Sequence, residues 1–350
     1  VSKLIPRTHR DYVLNARLCG EAAGFDTHTV FMAILPLGHN YNLASPGMLG
    51  TFHHGGTVVL APSTDAADIF ALVARERVSV IAAVVPLIAA WMNSDEPERH
   101  DVSSLKVVQN GGARLAPELR QRLIDRLGCT PQEIYGTAEG LINMTRLDDP
   151  PEVLWHSSGR PVCEDDEIQV VDDNGHELPD GELGELVTRG PYTIRGYYQA
   201  PEKNREAFTP DGFYRMGDLV RKRGRDIHTE GRRKDLINRG GEKISCEEVE
   251  DLILQHPSVK SVSLVAMPDP VFGERACAYV ILKEGATLGF AELIDFLRAK
   301  HIASFKLPER LEVVTQFPLS PVGKILKSQL RQDIAAKLAQ EGAMHSGAKT

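Results

Sequence analysis

The stretch Thr57–Val85, TVVLAPSTDAADIFALVARERVSVIAAVV, decides the fold. Thr57–Ala61 opens it with β-branched and apolar residues and reads as a strand. Asp65–Arg77 then places Ile69, Leu72, Val73 and Glu76 at helical spacing. Val78–Val85 is continuously apolar, as a strand covered on both faces should be. Strand, helix, strand in this rhythm predicts an α/β fold built on a parallel sheet with helices on its faces.

Further along, the same rhythm continues. Leu105–Gln109 and Glu133–Tyr135 read as strands. Between them Pro117–Leu127 reads as a helix, with Pro at its first turn and Leu119, Leu123, Ile124 and Leu127 inward. The apolar run from Val78 reaches Met92, but Pro86 divides it into a strand and a helix start, and it is too short to span a bilayer. Near Asp149-Pro150-Pro151 the character changes to strands and turns: Glu167–Val171, the turn Asp172-Asp173-Asn174-Gly175, Gly184–Thr188 and Tyr192–Tyr198. This predicts a small antiparallel, barrel-like subdomain.

A second change falls at Gly231–Asp235. Beyond it Ser245-Cys246-Glu247-Glu248 is a capping box opening a helix with Val249, Leu252 and Ile253 inward. Strands at Val259–Ala266, Ala276–Leu282 and Leu311–Val314 alternate with helices at Phe290–Lys300 and after Ile325, an α+β pattern. The expected division is therefore 1–230 (an α/β part, 1–148, and a β-rich part, 149–230), a connection at 231–235, a smaller domain at 236–338 and a small, polar, flexible tail at 339–350.

Composition fits this reading. The chain has 350 residues, enough for about two domains, with 42% hydrophobic and 25% charged residues. Lys and Arg number 40 against 48 Asp and Glu, a net charge of −8, which argues against sequence-independent nucleic-acid binding. Cys19, Cys129, Cys163, Cys246 and Cys277 are scattered without a CxxC pair and read as reduced, buried thiols of a cytoplasmic protein. No signal pattern opens the chain, which starts Val1-Ser2-Lys3 as an internal piece of a longer sequence would.

Several loops could carry chemistry. Tyr135-Gly136-Thr137-Ala138-Glu139-Gly140 follows a strand; Gly136 permits close backbone approach, and Glu139 could hold a divalent cation beside phosphates. Asn110-Gly111-Gly112-Ala113-Arg114 also sits at a strand end, where open α/β sheets gather ligands. Gly217-Asp218 offers a carboxylate suited to a ribose diol. Asn238-Arg239-Gly240-Gly241-Glu242-Lys243-Ile244 and Pro321-Val322-Gly323-Lys324 are charged Gly loops. Each alone reads more readily as an ordinary turn or solvated surface loop.

Their order is specific. Tyr135-Gly136 with Glu139, Gly181–Leu186, Arg195–Tyr198, Gly217-Asp218, Gly231–Asp235, Asn238–Ile244 and Pro321–Lys324 together resemble the adenylate-forming superfamily of acyl-CoA synthetases, luciferases and peptide-synthetase adenylation domains. His39–Gly47, Tyr135–Asp149 and Gly190–Tyr198 are most similar to the stand-alone aryl-acid ligases of siderophore synthesis, which share Ala138 where most of the superfamily carries Thr.

The resemblance implies a large domain followed by a mobile lid, and a two-step ligase. It implies ATP and Mg²⁺ as cofactors, 2,3-dihydroxybenzoate as substrate, and the phosphopantetheine thiol of an aryl carrier protein as acceptor, with neither nucleic acid nor membrane as partner. Salicylate activation is the alternative substrate; a truncated, non-catalytic piece that only docks partners is the alternative class. Carried over residue by residue, Lys324 bridges the carboxylate and the α-phosphate, and Glu139 holds Mg²⁺. Tyr135, Gly136, Thr137, Gly112 and Ala113 line the adenine and phosphates, while Asp218 and Arg232 hold the ribose. Asn40 bonds the ring 2-hydroxyl, His39 flanks the pocket, and Ser45 and Ile142 form its floor. Lys234 matches the hinge, and Gly240 and Gly241 the pantetheine tunnel. Of the family's Gly-rich phosphate loop only the closing Val1-Ser2-Lys3 is present.

Overall fold

The computed structural model describes residues 3–112, 114–319 and 325–347. The chain divides into two compact units, Val1–Thr229 and Glu230–Thr350. In the first, the strands read from Thr57–Val85 lie in one sheet. Its members are β1 (Val30–Ala33), β2 (Thr57–Leu60), β3 (Val80–Ala83), β4 (Val107–Gly111), β5 (Thr130–Gly136), β6 (Ile142–Met144) and β7 (Arg160–Pro161), in spatial order β2-β1-β3-β4-β5-β6-β7. The first five are parallel, and β6 and β7 close the sheet antiparallel. β3, inside the sheet, is buried at every position; β2, at its edge, is not, so two similar apolar runs end in different environments.

Helices cover both faces. On one, Ala66–Glu76 and Pro117–Leu127 bury Ile69, Phe70, Val73 and Leu123 with Trp91 against Ile81 and Val108. On the other, His9–Ala22 buries Cys19 beside Phe31, Ala82, Ile134 and Met144. That helix and β1 had no clear sequence signal. Val13 is exposed on it, and charged Arg10, Arg17 and Glu21 blur its apolar stripe. Thr8 caps it with a full capping box to Asp11.

The β-rich part is a four-stranded sheet of β8 (Glu167–Val171), β9 (Gly184–Arg189), β10 (Tyr214–Arg223) and β11 (Asp226–Arg232), in order β11-β10-β9-β8; β8, β9 and β10 pair antiparallel. The order is linear rather than that of a barrel. Tyr192–Tyr198 is not a strand but a loop. Its backbone bonds run to Glu139 and to the Asn204 side chain instead of a ladder.

The second unit carries β12 (Ile237–Arg239), β13 (Glu242–Ile244), β14 (Val259–Asp269), β15 (Gly273–Leu282) and β16 (Arg310–Val313), with β14 and β15 paired over nearly their whole length. Ser245 caps the helix Cys246–Leu254, and Val249 and Ile253 are fully buried. The last helix, Lys327–Gly347, runs past residue 339, where the sequence predicts a flexible tail. All five cysteines are free and buried. Burial raises the thiols of Cys129, Cys246 and Cys277 to about 12, so they are inert. Among the described residues no helix is long and apolar enough to cross a membrane.

Candidate active site

Parallel strands deliver their carboxyl-end loops to one edge of a sheet. In the first unit β3, β4 and β5 end there at Ala83, Gly111 and Gly136. A buried network fixes the ends of β4 and β5. Arg120 pairs with Glu133 at 2.8 Å, and Asn110 Nδ2 donates to the other Glu133 oxygen at 3.0 Å. Burial pushes the Glu133 carboxyl up, against the pull of the Arg120 charge. The Tyr41 ring lies on Gly111, where an added Cβ would come within 3.0 Å of it, and Tyr41 donates its hydroxyl to the Ala83 carbonyl at 3.3 Å. Gly112 follows at a φ of +89°, a region that favours glycine.

The Tyr135–Gly140 segment closes back on itself through Thr137 N–H to the Leu141 carbonyl at 3.1 Å. Glycine is required at 136, where a Cβ would meet Leu141 and Ile142 within 2.6 Å. Two predicted site residues meet here: the Tyr135 hydroxyl donates to Asp218 Oδ2 at 2.7 Å. Asp218 is buried on β10, so Tyr135 orients the carboxylate expected to receive a ribose. Thr137 Oγ1 is buried without a hydrogen-bond partner, which suits a ligand oxygen.

Glu139 is the most elaborately held residue. Tyr197 donates its hydroxyl to Glu139 Oε1 at 2.7 Å, and Lys3 Nζ reaches the same oxygen at 3.2 Å and Tyr197 at 2.8 Å. Tyr214 stands 3.2 Å from the Tyr197 hydroxyl. The Glu139 main chain is fixed as well, its carbonyl accepting from Ile194 N–H at 2.8 Å. Burial pushes the Glu139 carboxyl up, but the Tyr197 hydrogen bond and the Lys3 charge outweigh it and hold the group below its ordinary range. Burial likewise pulls the Lys3 ammonium down, and the same partners bring it above its ordinary value. Glu139 is thus an ionised carboxylate in a largely dry setting. Among the described residues no cluster of three metal-type side chains exists. Mg²⁺ that arrives on a nucleotide's phosphates is bound through one or two carboxylates, and Glu139 is one such group.

The predicted aryl pocket is the turn of helix Asn40–Ala44. His39 caps it, its Nδ1 accepting from Tyr41 N–H at 3.2 Å, and its ring is exposed. Asn40 Nδ2 donates to Ser45 Oγ at 3.0 Å, and Asn40 Oδ1 is buried with no partner. Ser45 is buried, as is Ile142 on β6, which shares an apolar cluster with Tyr41. Asn15, on the helix His9–Ala22, also donates to Ser45 Oγ.

Other predicted residues lie elsewhere. Lys324 and Ala113 fall outside the described residues. Arg232 belongs to the second unit, unlike Asp218. The backbone of Lys234 lies in the short 3-10 turn Arg233–Asp235. Gly240 and Gly241 form the β12–β13 turn at φ +59° and +101°, with the Gly241 N–H bonded to Asn238 Oδ1. Three residues had no role in the sequence reading: Asn15, Tyr197 and Tyr41. Tyr197 stood inside a quoted motif; a lone Asn within a helical stretch carries no signal.

The chain is similar to known proteins over nearly its whole length. The AMP-binding enzyme family matches residues 1–198, and the AMP-binding enzyme C-terminal domain matches residues 248–324. The chain is 49% identical over 339 residues to a 2,3-dihydroxybenzoate-AMP ligase of Bacillus subtilis, covering 97% of this chain and 63% of the relative. It is 49% identical over 337 residues to a salicylyl-CoA synthase / salicylate adenylyltransferase of a Streptomyces species, covering 96% and 61%. The crystal structure of ATP-bound MatB from Rhodopseudomonas palustris superposes with a TM-score of 0.87 at 26% identity, over 95% of this chain and 66% of that one. The chain therefore spans about three fifths of the length of these curated relatives.

Proposed function

The chain belongs to the AMP-binding enzyme family, and from that premise we propose that it activates an aryl acid, 2,3-dihydroxybenzoate, as its adenylate. A carboxylate is a poor electrophile. Attack of its oxygen on the ATP α-phosphorus forms the aryl-AMP anhydride and expels pyrophosphate. The thiol of a phosphopantetheinylated carrier protein then attacks the acyl carbon and expels AMP. Both reactants of the first step are anionic, so positioning and positive charge carry the catalysis.

The observation that carries this reading is the polar floor at Asn40 and Ser45. A half-buried Asn whose Oδ1 is buried and unpartnered stands beside a buried Ser hydroxyl, close in sequence to the apolar Tyr41. An unpaired buried acceptor calls for a donor on the ligand, such as a ring hydroxyl. Tyr135 and Asp218 supply an aromatic face and a carboxylate for adenosine. Lys3 stands ready for phosphate oxygens. Mg²⁺, when bound with ATP, neutralises phosphate charge, and Glu139 would hold it, with Thr137 Oγ1 left for a phosphate oxygen. By the family resemblance alone, Lys324 would serve the carboxylate and α-phosphate, Arg232 the ribose, Gly240 and Gly241 the pantetheine, and Lys234 the hinge. Such a ligase works in the cytoplasm, where ATP and the carrier protein are found.

Salicylate is the second reading, favoured by the equal identity to a salicylate adenylyltransferase. Pyrophosphate–ATP exchange with 2,3-dihydroxybenzoate, salicylate and benzoate separates the two. Exchange fastest with the dihydroxy acid and about ten- to a hundredfold slower with benzoate is expected. Exchange with none of the aryl acids would sink the proposal and leave the docking role.

A further inference from the structure

Ser45 Oγ receives two N–H donors at once. Asn40 Nδ2 lies 3.0 Å away and Asn15 Nδ2 3.3 Å away. The Asn15 amide cannot be turned round, because the same Nδ2 donates to the Ala44 carbonyl at 2.6 Å, a group that can only accept. Asn15 and Ser45 are 1% and 2% exposed, so water does not compete. A hydroxyl has two lone pairs and one proton. With both lone pairs occupied by amide donors, Ser45 has only its proton to offer. Asn15 Oδ1 and Asn40 Oδ1 are both buried and unpartnered, so the same corner is rich in acceptors and has one remaining donor, the Ser45 hydroxyl.

We infer that Asn15 is the positioning residue that sets selectivity at the ring carbon beside the Asn40-bound hydroxyl, by locking the Ser45 hydroxyl as a donor so that the substituent there must accept a hydrogen bond. The inference rests on the aryl-acid reading of the pocket. A 2-hydroxyl donates to Asn40 Oδ1, and the 3-substituent receives the Ser45 proton. A 3-hydroxyl can accept. A 3-amino group has nearly the same size, but its lone pair is delocalised into the ring, so it donates and scarcely accepts. Hydrogen at the 3-position leaves the Ser45 donor unpaired. Asn15 touches no ligand in this scheme; it acts through Ser45.

The test is equilibrium binding of 2,3-dihydroxybenzoate, 3-amino-2-hydroxybenzoate and salicylate to the chain in the presence of a non-hydrolysable ATP analogue. The dihydroxy acid is expected to bind about tenfold or more tightly than the amino acid, the discrimination typical of one buried, mispaired hydrogen bond. Asn15→Leu, which is nearly isosteric and frees one Ser45 lone pair, is expected to bring the two within about threefold while leaving salicylate within about threefold of its original affinity. Equal binding of the hydroxy and amino acids by the unaltered chain overturns the inference. So does discrimination that survives Asn15→Leu. Should Asn15→Leu fail to fold, the three ligands on the unaltered chain still decide the donor role of Ser45, and Asn15→Asp, which would take the Ser45 proton itself, must reverse the preference. Failure of all three acids to bind removes the aryl-acid reading, and this inference with it.

Discussion

Replacing Asp166 by Asn is expected to flatten the pH dependence of stability in the first unit. Asp166 is 1% exposed, and its Oδ2 accepts the Tyr192 hydroxyl at 2.8 Å. Its Oδ1 is buried against Gly190 with no hydrogen-bond partner. Burial raises the carboxyl from 3.8 to about 7, with Tyr192 and Arg225 pulling it down and Asp165 pushing it up. A carboxyl raised in this way contributes stability that is complete below its unfolded value and is lost as pH rises through about 7. At ~1.4 kcal/mol per pH unit, the rise corresponds to a ceiling of ~4 kcal/mol, of which ~2 kcal/mol is lost between about pH 5 and pH 7. Asn keeps the acceptor for Tyr192 and cannot ionise. Urea unfolding of both proteins across that range isolates the contribution, because other titrating groups cancel in the difference. The Asp166→Asn protein should gain ~2 kcal/mol relative to the parent on going from about pH 5 to pH 7. A difference constant within ~0.5 kcal/mol would refute the assignment of a buried, near-neutral titration to Asp166.

Tyr197→Phe removes the donor to Glu139 but keeps the ring packing against Phe208 and Tyr214, so the fold survives. Loss of a hydrogen bond to a charged group, ~1.5–3 kcal/mol, should raise the KM for MgATP about tenfold or more with a smaller change in kcat, and an unchanged KM would count against Glu139 as the metal-holding group. Gly140→Ala places a Cβ 2.6 Å from the Thr193 Cα, and overpacking of that kind should cost ~1–3 kcal/mol in thermal or urea unfolding; a neutral effect would mean that the Thr193 loop is not seated there. Lys324→Ala, on the sequence reading, should abolish aryl-AMP formation and spare transfer from preformed aryl-AMP. Equal loss in the two half-reactions, assayed separately, would remove its assigned role.

Much of the frame was legible because it rests on local patterns. The apolar run ending in β3 and the amphipathic helices Ala66–Glu76 and Pro117–Leu127 announce themselves by period and by a leading Pro. The loop Tyr192–Tyr198 was misread for the same reason. Tyr192, Ile194 and Tyr197 suggest a strand, but what fixes them is Asp166, Glu139 and Asn204, and a period-2 pattern does not reveal side-chain partners. The site was legible through motif order, at the level of which loops carry it. Its internal pairings were not. Lys3 meets Glu139 across 136 positions, and Asn15 meets Ser45 from a different helix, so neither contact leaves a trace in any local window.

The loop from Gly190 to Tyr197 links two buried carboxyls with opposite fates. Burial pushes both Asp166 and Glu139 upward. Glu139 receives the Tyr197 hydroxyl and the Lys3 ammonium on one oxygen, and these outweigh burial. Asp166 receives one phenol hydroxyl, and Arg225 bonds the Asp166 and Cys163 backbone carbonyls rather than the carboxylate. At Glu139 the Tyr197 hydrogen bond and the Lys3 charge together offset desolvation, whereas at Asp166 the Tyr192 hydrogen bond and the Arg225 charge do not. The anchoring end of the loop therefore titrates near neutrality, while the end that faces Glu139 keeps its charge well below it. Neutralising Asp166 by acid leaves the Tyr192 hydrogen bond possible in either direction, so the loop stays seated as the pH falls. Glu139, held below its ordinary range, is ionised where ATP carries its full phosphate charge, which suits a carboxylate that shares a cation with those phosphates.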